Sequence, residues 1–324
     1  MKKELLKILD CPVCQDGQKL IIKQYGIIND EIDTGELECP QCHKSYKISN
    51  GIPRMSPGNT NMQVKSAQKG FGNLFRLWNS GKFGTDLLYG QSASDEELTF
   101  FQRFSITGED LKGKTILDAG CGVGRLTKCL SHYSPASIVG IDIHNSMDQV
   151  YSRCKSLSNV HILEGDLVKL PFKNKQFDLV WCEGVLPYIY DHLKALGQLI
   201  NVLKPGGLIY IWVYDSYENS YMAKFTNLFY NSHKYPHWLL LLISRSGGWL
   251  FFMLDKLKQH TGKSSSLTSY QNRCFSLYDL LSQKFRKCFS KEEVLGWFND
   301  YDVKIIRRHS PGHGITAVKN KENE

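Results

Sequence analysis

The sequence predicts an α/β fold: a mostly parallel sheet covered by helices on both faces, with a small cysteine-rich module before it and a helical insertion late in it. Three observations carry this expectation. From Lys114 onward, short apolar and β-branched runs alternate with helical segments. Two Cys-x-x-Cys pairs stand within the first 57 residues. An aromatic and apolar stretch, about 216–290, separates the fifth strand candidate from the last two.

The bulk properties suit a soluble globular chain. Its 324 residues are 42% hydrophobic and 22% charged, enough for one large domain and an accessory module. Met1-Lys2-Lys3-Glu4-Leu5 lacks the apolar core of a signal peptide, so the expected location is cytoplasmic. Six of the ten cysteines are scattered through strand and helix candidates, which fits a reducing compartment better than a disulfide framework. Charge is uneven: residues 1–57 are neutral, while residues 216–324 carry 16 basic against 9 acidic residues. That excess suits a solubilising surface as well as an anionic metabolite, a nucleic acid or a membrane.

The module is read as residues 1–57, closed by the turn-rich Gly51-Ile52-Pro53-Arg54-Met55-Ser56-Pro57. Cys11 and Cys14 are followed, 24 residues on, by Cys39 and Cys42. Two such knuckles bring four thiolates to one tetrahedral structural Zn²⁺, and a hairpin with its loop near Asn29–Gly35 takes up the spacing. His43 is a rival ligand, but four cysteines already complete a site with no open position. Residues 58–110 form a linker and N-terminal helical cap, polar and then aromatic, with a helix from Asp95 to Phe104.

Residues 111–324 hold the large domain. Its strand candidates are Thr115–Asp118, Ile138–Asp142, Val160–Glu164, Phe177–Cys182 and Leu208–Tyr214, with Val303–Arg307 and Gly314–Val318 completing the sheet. Helices are expected over 124–132, 146–156 and 191–203. Asp118 ends the first strand and Gly120-x-Gly122-x-Gly124 opens the next helix, where bare backbone can approach a ligand at a helix N-terminus. Alone, this loop equally suits a dinucleotide, although the Gly-x-Gly-x-x-Gly spacing is missing. Asp142 ends the second strand, where it can accept from ribose hydroxyls. Asp166 follows the third, where it can accept from an adenine amino group while Leu167 packs on the ring.

Asp118-x-Gly-Cys-Gly-x-Gly124, the spaced acids, Leu170-Pro-Phe172, Phe177-Asp-Leu-Val180 and Leu203-Lys-Pro-Gly-Gly207 stand in an order that resembles class I S-adenosylmethionine-dependent methyltransferases of the small-molecule type. The likeness covers roughly residues 100–215. It implies a Rossmann-like seven-stranded sheet and places Gly120, Gly122 and Gly124 beside the methionine and ribose of the cofactor, with Asp118 nearby. It gives Asp142 to the ribose and Asp166 with Leu167 to the adenine. Leu5 through Met55 resembles the small zinc-ribbon proteins that activate methyltransferases, here fused to the enzyme.

Acceptor-facing residues in this fold follow the fourth strand, here Glu183 to His192. Related enzymes often carry His-His where this chain has Pro187-Tyr188, so Tyr188 and His192 are the catalytic candidates; a surface position at a helix start is the competing reading of His192. No Asn-Pro-Pro-Tyr-like tetrapeptide is present, which weighs against N-methylation of a nucleobase. In the insertion, Trp238–Ile243 and Trp249–Leu254 are six-residue apolar runs broken by Arg245 and Gly247-Gly248. They predict a helical hairpin over the site and no transmembrane segment. Flanking tryptophans with Lys256, Lys258 and Lys263 also suit a peripheral membrane contact or a lipid-like substrate. The expected activity is therefore methylation of a small-molecule or glycan/lipid-linked acceptor. An RNA methyltransferase and a non-catalytic cofactor-binding partner protein are the alternatives.

Overall fold

The computed structural model describes residues 1–56, 58, 62–84, 87–216, 232–260, 269–283 and 286–321. The insertion aromatics Tyr217, Tyr221, Phe225, Phe229 and Tyr230, and Lys263, lie outside the described residues.

The chain begins with an antiparallel meander of four strands: β1 (Ile21–Ile28), β2 (Glu31–Glu38), β3 (Ser45–Ser49) and β4 (Ile52–Pro53). Asn29 and Asp30 turn β1 into β2 at φ 50° and 62°. Two positive φ values in succession match the right-handed strand twist, and Asn and Asp tolerate them best after glycine. The expected hairpin is present, with Gly35 inside β2 rather than in the loop.

The main sheet contains β5 (Thr115–Ala119), β6 (Ser137–Asp142), β7 (Val160–Glu164), β8 (Phe177–Glu183), β9 (Leu203–Val213), β10 (Val303–His309) and β11 (His313–Lys319), in the order β10-β11-β9-β8-β5-β6-β7. The neighbours from β9 to β7 are parallel; β11 runs antiparallel to both β9 and β10. Strand order reverses at β5, so the carboxyl ends of β5, β6 and β8 open onto one crevice. The expected Leu203–Gly207 turn is instead the irregular start of β9, where Gly206 takes φ 77° beside a register shift against β8.

Around the sheet lie α1 (Met62–Asn79), α2 (Ala93–Phe104), α3 (Arg125–Leu130), α4 (Met147–Cys154), α5 (His192–Asn201), α6 (His237–His260), α7 (Tyr270–Ser282) and α8 (Lys291–Gly296). Ser92 caps α2 in a reciprocal capping box with Asp95, which satisfies two N–H groups of its first turn. Helix α1 buries Leu74, Phe75, Leu77 and Trp78 against α7. The break expected at Arg245–Gly248 does not occur. Arg245 is exposed, and the missing side chain of Gly248 admits Cys274 of α7, whose Sγ would lie 2.6 Å from an added Cβ. Contact with α7 offsets the helix cost of glycine, about 1 kcal/mol each. The two runs thus form one helix, and His237–Leu257 is long and apolar enough to cross a membrane by length and composition, with 17% of its apolar window buried.

The cysteine module and the sheet share one core. Leu5, Leu9, Leu37 and Met55 pack in the same cluster as Leu117, Val139, Leu163 and Phe172. Asp10 N–H donates to the Pro171 carbonyl (2.9 Å), Lys173 N–H to that of Ile8 (2.9 Å), and Met55 N–H to that of Glu164 (2.7 Å). Arg54 ties the seam electrostatically, reaching Glu164 at 2.5 Å and Asp148 at 3.0 Å. Glu164 is nearly enclosed, so Arg54→Ala leaves a desolvated carboxylate without its main partner. The expected loss is about 2 kcal/mol, read as a lower midpoint in denaturant unfolding.

Candidate functional site

A cavity of about 460 Å³ opens at the carboxyl ends of β5, β6 and β8, a size that suits a small organic ligand. Its floor is the turn after β5. Gly120 and Cys121 both donate to the Ile141 carbonyl, at 2.8 and 3.1 Å, and Gly122 N–H donates to Asp142 Oδ2 at 2.9 Å. Gly120, Gly122 and Gly124 all have positive φ, at 87°, 54° and 74°. At Gly120 an added Cβ would lie 2.2 Å from Val185 Cγ2, and at Gly124 2.5 Å from Val150 Cγ1.

Of the predicted cofactor residues, Asp118, Gly120, Gly122, Asp142, Asp166 and Leu167 line this cavity. Gly124 does not: it caps α3 and makes room for α4. Asp118 is buried and accepts a hydrogen bond from the Thr127 hydroxyl; burial still pushes its carboxyl up to about 7. Asp142 also accepts from Ile143 N–H at 2.7 Å, and Asp166 from Val168 N–H at 2.9 Å. His144 braces the turn. Its Nε2 lies 2.8 Å from the Gly122 carbonyl, which can only accept, so Nε2 carries the proton and Nδ1 accepts from Ser146 Oγ (2.8 Å).

Aromatic side chains make up a further part of the lining. Phe71 and Phe75 reach in from α1, where Phe75 meets His144 and Phe71 meets Tyr188, each at 4.9 Å between ring centres. Tyr188 lines the cavity with its hydroxyl 3.5 Å from that of Tyr214. Chain returning after α7 lays Phe289 along Tyr214 and brings the Arg286 guanidinium 4.4 Å over the Tyr214 ring. Burial and the nearby Asp279 carboxylate hold the Tyr188 phenol far above its ordinary value. Asp279 is itself buried, its Oδ1 has no partner among the described residues, and burial pushes its carboxyl up to about 6.

His192, the other catalytic candidate, is not brought to the cavity. Its ring packs 4.9 Å from both Phe289 and Trp297, and burial lowers its pKa. The cavity is also lined by Tyr89, Tyr214 and the Arg125–Glu96 pair, joined at 2.5 Å, which sequence reasoning did not single out, and by Glu183, which it placed in the acceptor-facing segment without a role. Glu183 ends β8 beside the turn, and burial pushes its carboxyl up to about 7. Its position at a strand end on the crevice was the available signal.

In the N-terminal module, the sulfurs of Cys11, Cys14, Cys39 and Cys42 all lie within 4.8 Å of one another. Cys11–Cys42 and Cys14–Cys39 are each 3.8 Å apart. A tetrahedral ion with metal–sulfur bonds of about 2.3 Å requires sulfur–sulfur edges of about 3.8 Å. His43 is exposed and its Nδ1 faces Glu38 at 3.8 Å, so it stands apart from the cluster.

Comparison with known proteins agrees with both halves. Residues 117–211 match the family model for a methyltransferase domain, and residues 2–51 that for a Trm112p-like protein. A demethylmenaquinone methyltransferase from Staphylococcus haemolyticus is 32% identical over 162 residues, covering 45% of this chain and 66% of the relative. A tRNA U34 carboxymethyltransferase from Campylobacter curvus is 25% identical over 181 residues, covering 55% and 57%. The chain thus spans less than two thirds of the length of these curated relatives. A SAM-dependent methyltransferase structure from Aquifex aeolicus is 16% identical, covers 69% of this chain and 89% of its own, and has a TM-score of 0.42.

The turn itself can be tested. Gly120→Ala meets both a left-handed φ, worth about 1–2 kcal/mol, and the Val185 side chain. Thermal unfolding is expected to show a loss larger than the φ cost alone, part of which Val185→Ala restores in the double variant.

Proposed function

We propose that this chain, which carries a methyltransferase domain joined to a Trm112-like domain, transfers the methyl group of S-adenosylmethionine to a small, largely apolar acceptor bearing an ionisable hydroxyl. One observation carries the reading. The glycine turn, Asp142, Asp166, Glu183 and the aromatic side chains of Phe71, Phe75, Tyr188 and Tyr214 all line one cavity.

In this reading Asp142 accepts from the ribose hydroxyls, while Asp166 and Leu167 hold the adenine. The backbone beside Gly120 leaves room for the methionine part, since any Cβ there would strike Val185. The cofactor supplies an electrophilic methyl, so the chain's work is mainly to bind, orient and exclude water. Phe71, Phe75, Tyr188 and Tyr214 pack on the acceptor. Glu183, as carboxylate, takes the acceptor's proton. Tyr188 orients the hydroxyl; its phenol stays protonated and donates.

The four cysteines would hold a structural Zn²⁺, which supports the fold and takes no part in transfer. One zinc per chain is expected by elemental analysis. Cys11→Ser with Cys39→Ser should abolish it and lower the melting temperature, and an unchanged melting curve would contradict the structural role.

Calorimetry with S-adenosylmethionine tests the cofactor assignment, and absence of binding at high micromolar concentration would remove it. Asp142→Ala should weaken binding about tenfold or more, the loss of a bidentate charged acceptor. For transfer, the Staphylococcus relative's name suggests demethylmenaquinone as a probe, used in its reduced quinol form because only that form carries an ionisable hydroxyl; unmodified tRNA is the competing acceptor. Methylation of tRNA with none of the quinol would favour the RNA reading. Because Glu183 must be ionised and its carboxyl sits near 7, turnover should rise as pH increases through about 7. Glu183→Gln should flatten that limb and lower kcat about a hundredfold or more, leaving cofactor affinity unchanged.

A further inference from the structure

Helix α6 has two unlike faces. One is fixed to the body: Gly248 abuts Cys274, Asp255 pairs with Arg273 at 2.5 Å, and His237 Nδ1 lies 2.6 Å from the Tyr278 hydroxyl. The other carries Trp238, Leu242, Trp249, Leu250, Leu254 and Leu257, between 42% and 65% exposed. At about 100° per residue these six fall within roughly 160° of arc, a continuous stripe along a helix about 36 Å long. Single exposed apolar residues are ordinary; six aligned on one helix mark a surface that meets something apolar.

Charge identifies the occupant. Arg245 and Lys256 are exposed along one edge of the stripe, Lys234 is exposed just before the helix begins, and Lys258 follows on the same helix. The helix's only acid, Asp255, is already engaged by Arg273. A second copy seated on this face would set cations against cations, whereas an anionic bilayer meets them with opposite charge. The two exposed indoles have the amphipathic character that settles at the headgroup boundary.

We propose that α6 seats the chain on an anionic membrane surface, lying in the plane of the interface with its tryptophan–leucine face in the acyl boundary. It does not cross. Spanning would carry Arg245 and the Asp255–Arg273 pair into hydrocarbon, and would strip α6 from α7, whose Phe275, Tyr278 and Leu281 are packed with Leu74 and Phe75 of α1. The helix seated on the membrane therefore packs on α7, which is itself braced against Leu74 and Phe75 of α1. The proposal stands independently of the methyltransferase reading, because the contact needs no ligand.

The test is flotation of the full chain with phosphatidylcholine vesicles and with mixed phosphatidylcholine–phosphatidylglycerol vesicles. The chain should float with the mixed vesicles, lose binding as salt rises, and shift its indole emission to the blue. Replacing Trp238, Leu242, Trp249 and Leu250 by Ser should reduce partitioning at least tenfold. Arg245→Glu with Lys256→Glu, which keeps every apolar side chain of the stripe, should reduce it at least about twentyfold, since each cation near such a surface contributes about a fivefold factor. The charge-reversed variant decides alone if the serine variant does not fold. No flotation of the unaltered chain, or flotation equal in the charge-reversed variant, overturns the proposal. So does a concentration-dependent dimer that the serine variant abolishes and vesicles fail to compete. Unchanged calorimetric binding of S-adenosylmethionine in each variant keeps this outcome separate from that of the proposed activity.

Discussion

The Asp142 carboxylate, receiving the N–H groups of Gly122 and Ile143, locks the end of β6 to the glycine turn that leaves β5. Without that anchor the left-handed residues of the turn would lack a reason to hold their shape. With it, the Ile141 carbonyl takes two further N–H groups and His144 closes on the Gly122 carbonyl. The cavity floor is therefore a hydrogen-bonded consequence of two neighbouring parallel strands, and helices α1 and α3 are placed by packing onto it. A loop so held presents its backbone to a ligand with little left to order.

The local parts of this arrangement were legible in the sequence. Short β-branched runs marked the parallel strands of the main sheet, because strands covered on both faces need apolar residues on both; β10, an exposed edge strand, was marked by Val303, Ile305 and Ile306 alone. Asp118, Asp142 and Asp166, which line the cavity, could be picked out in the sequence because each sits at or just after the end of a strand. What was missed depends on partners far along the chain. The glycine spacing does not reveal that Gly124 faces Val150 and not the crevice. His192 reads as a site residue until Phe289 and Trp297, about a hundred positions on, enclose it. Gly248 looks like a helix breaker until Cys274 is seen to fill its space.

Electrostatics give the cavity its character. Asp118 and Glu183, which line it, both have carboxyls pushed up by burial, and the guanidinium of Arg125 is already joined to Glu96. Near neutral pH such a group of acids is poised between charged and neutral forms, so a cationic ligand is favoured and an anionic one penalised. Behind the aromatic side chains, Asp279 and Arg286 stand near each other beside Tyr188 and Tyr214, so their charges largely offset.

The seam between the cysteine module and β7 bears on a different problem, the unpaired edge that every open sheet must manage. Arg54 and Met55 lie along Glu164 and occupy hydrogen-bonding groups that β7 would otherwise offer to another chain. The opposite edge, β10, is guarded by Lys304, Arg307 and Arg308 and by an irregularity between Ile305 and Arg307. The liability has moved outward to β1, where Tyr25, Ile27 and Ile28 are exposed. That strand is twice shifted in register around Gly26, with Gln24 at φ 48°, and a strand bent in this way is a poor template for a neighbour. By fusing the module to its sheet, the molecule exchanges a straight, pairing-competent border for a crooked one.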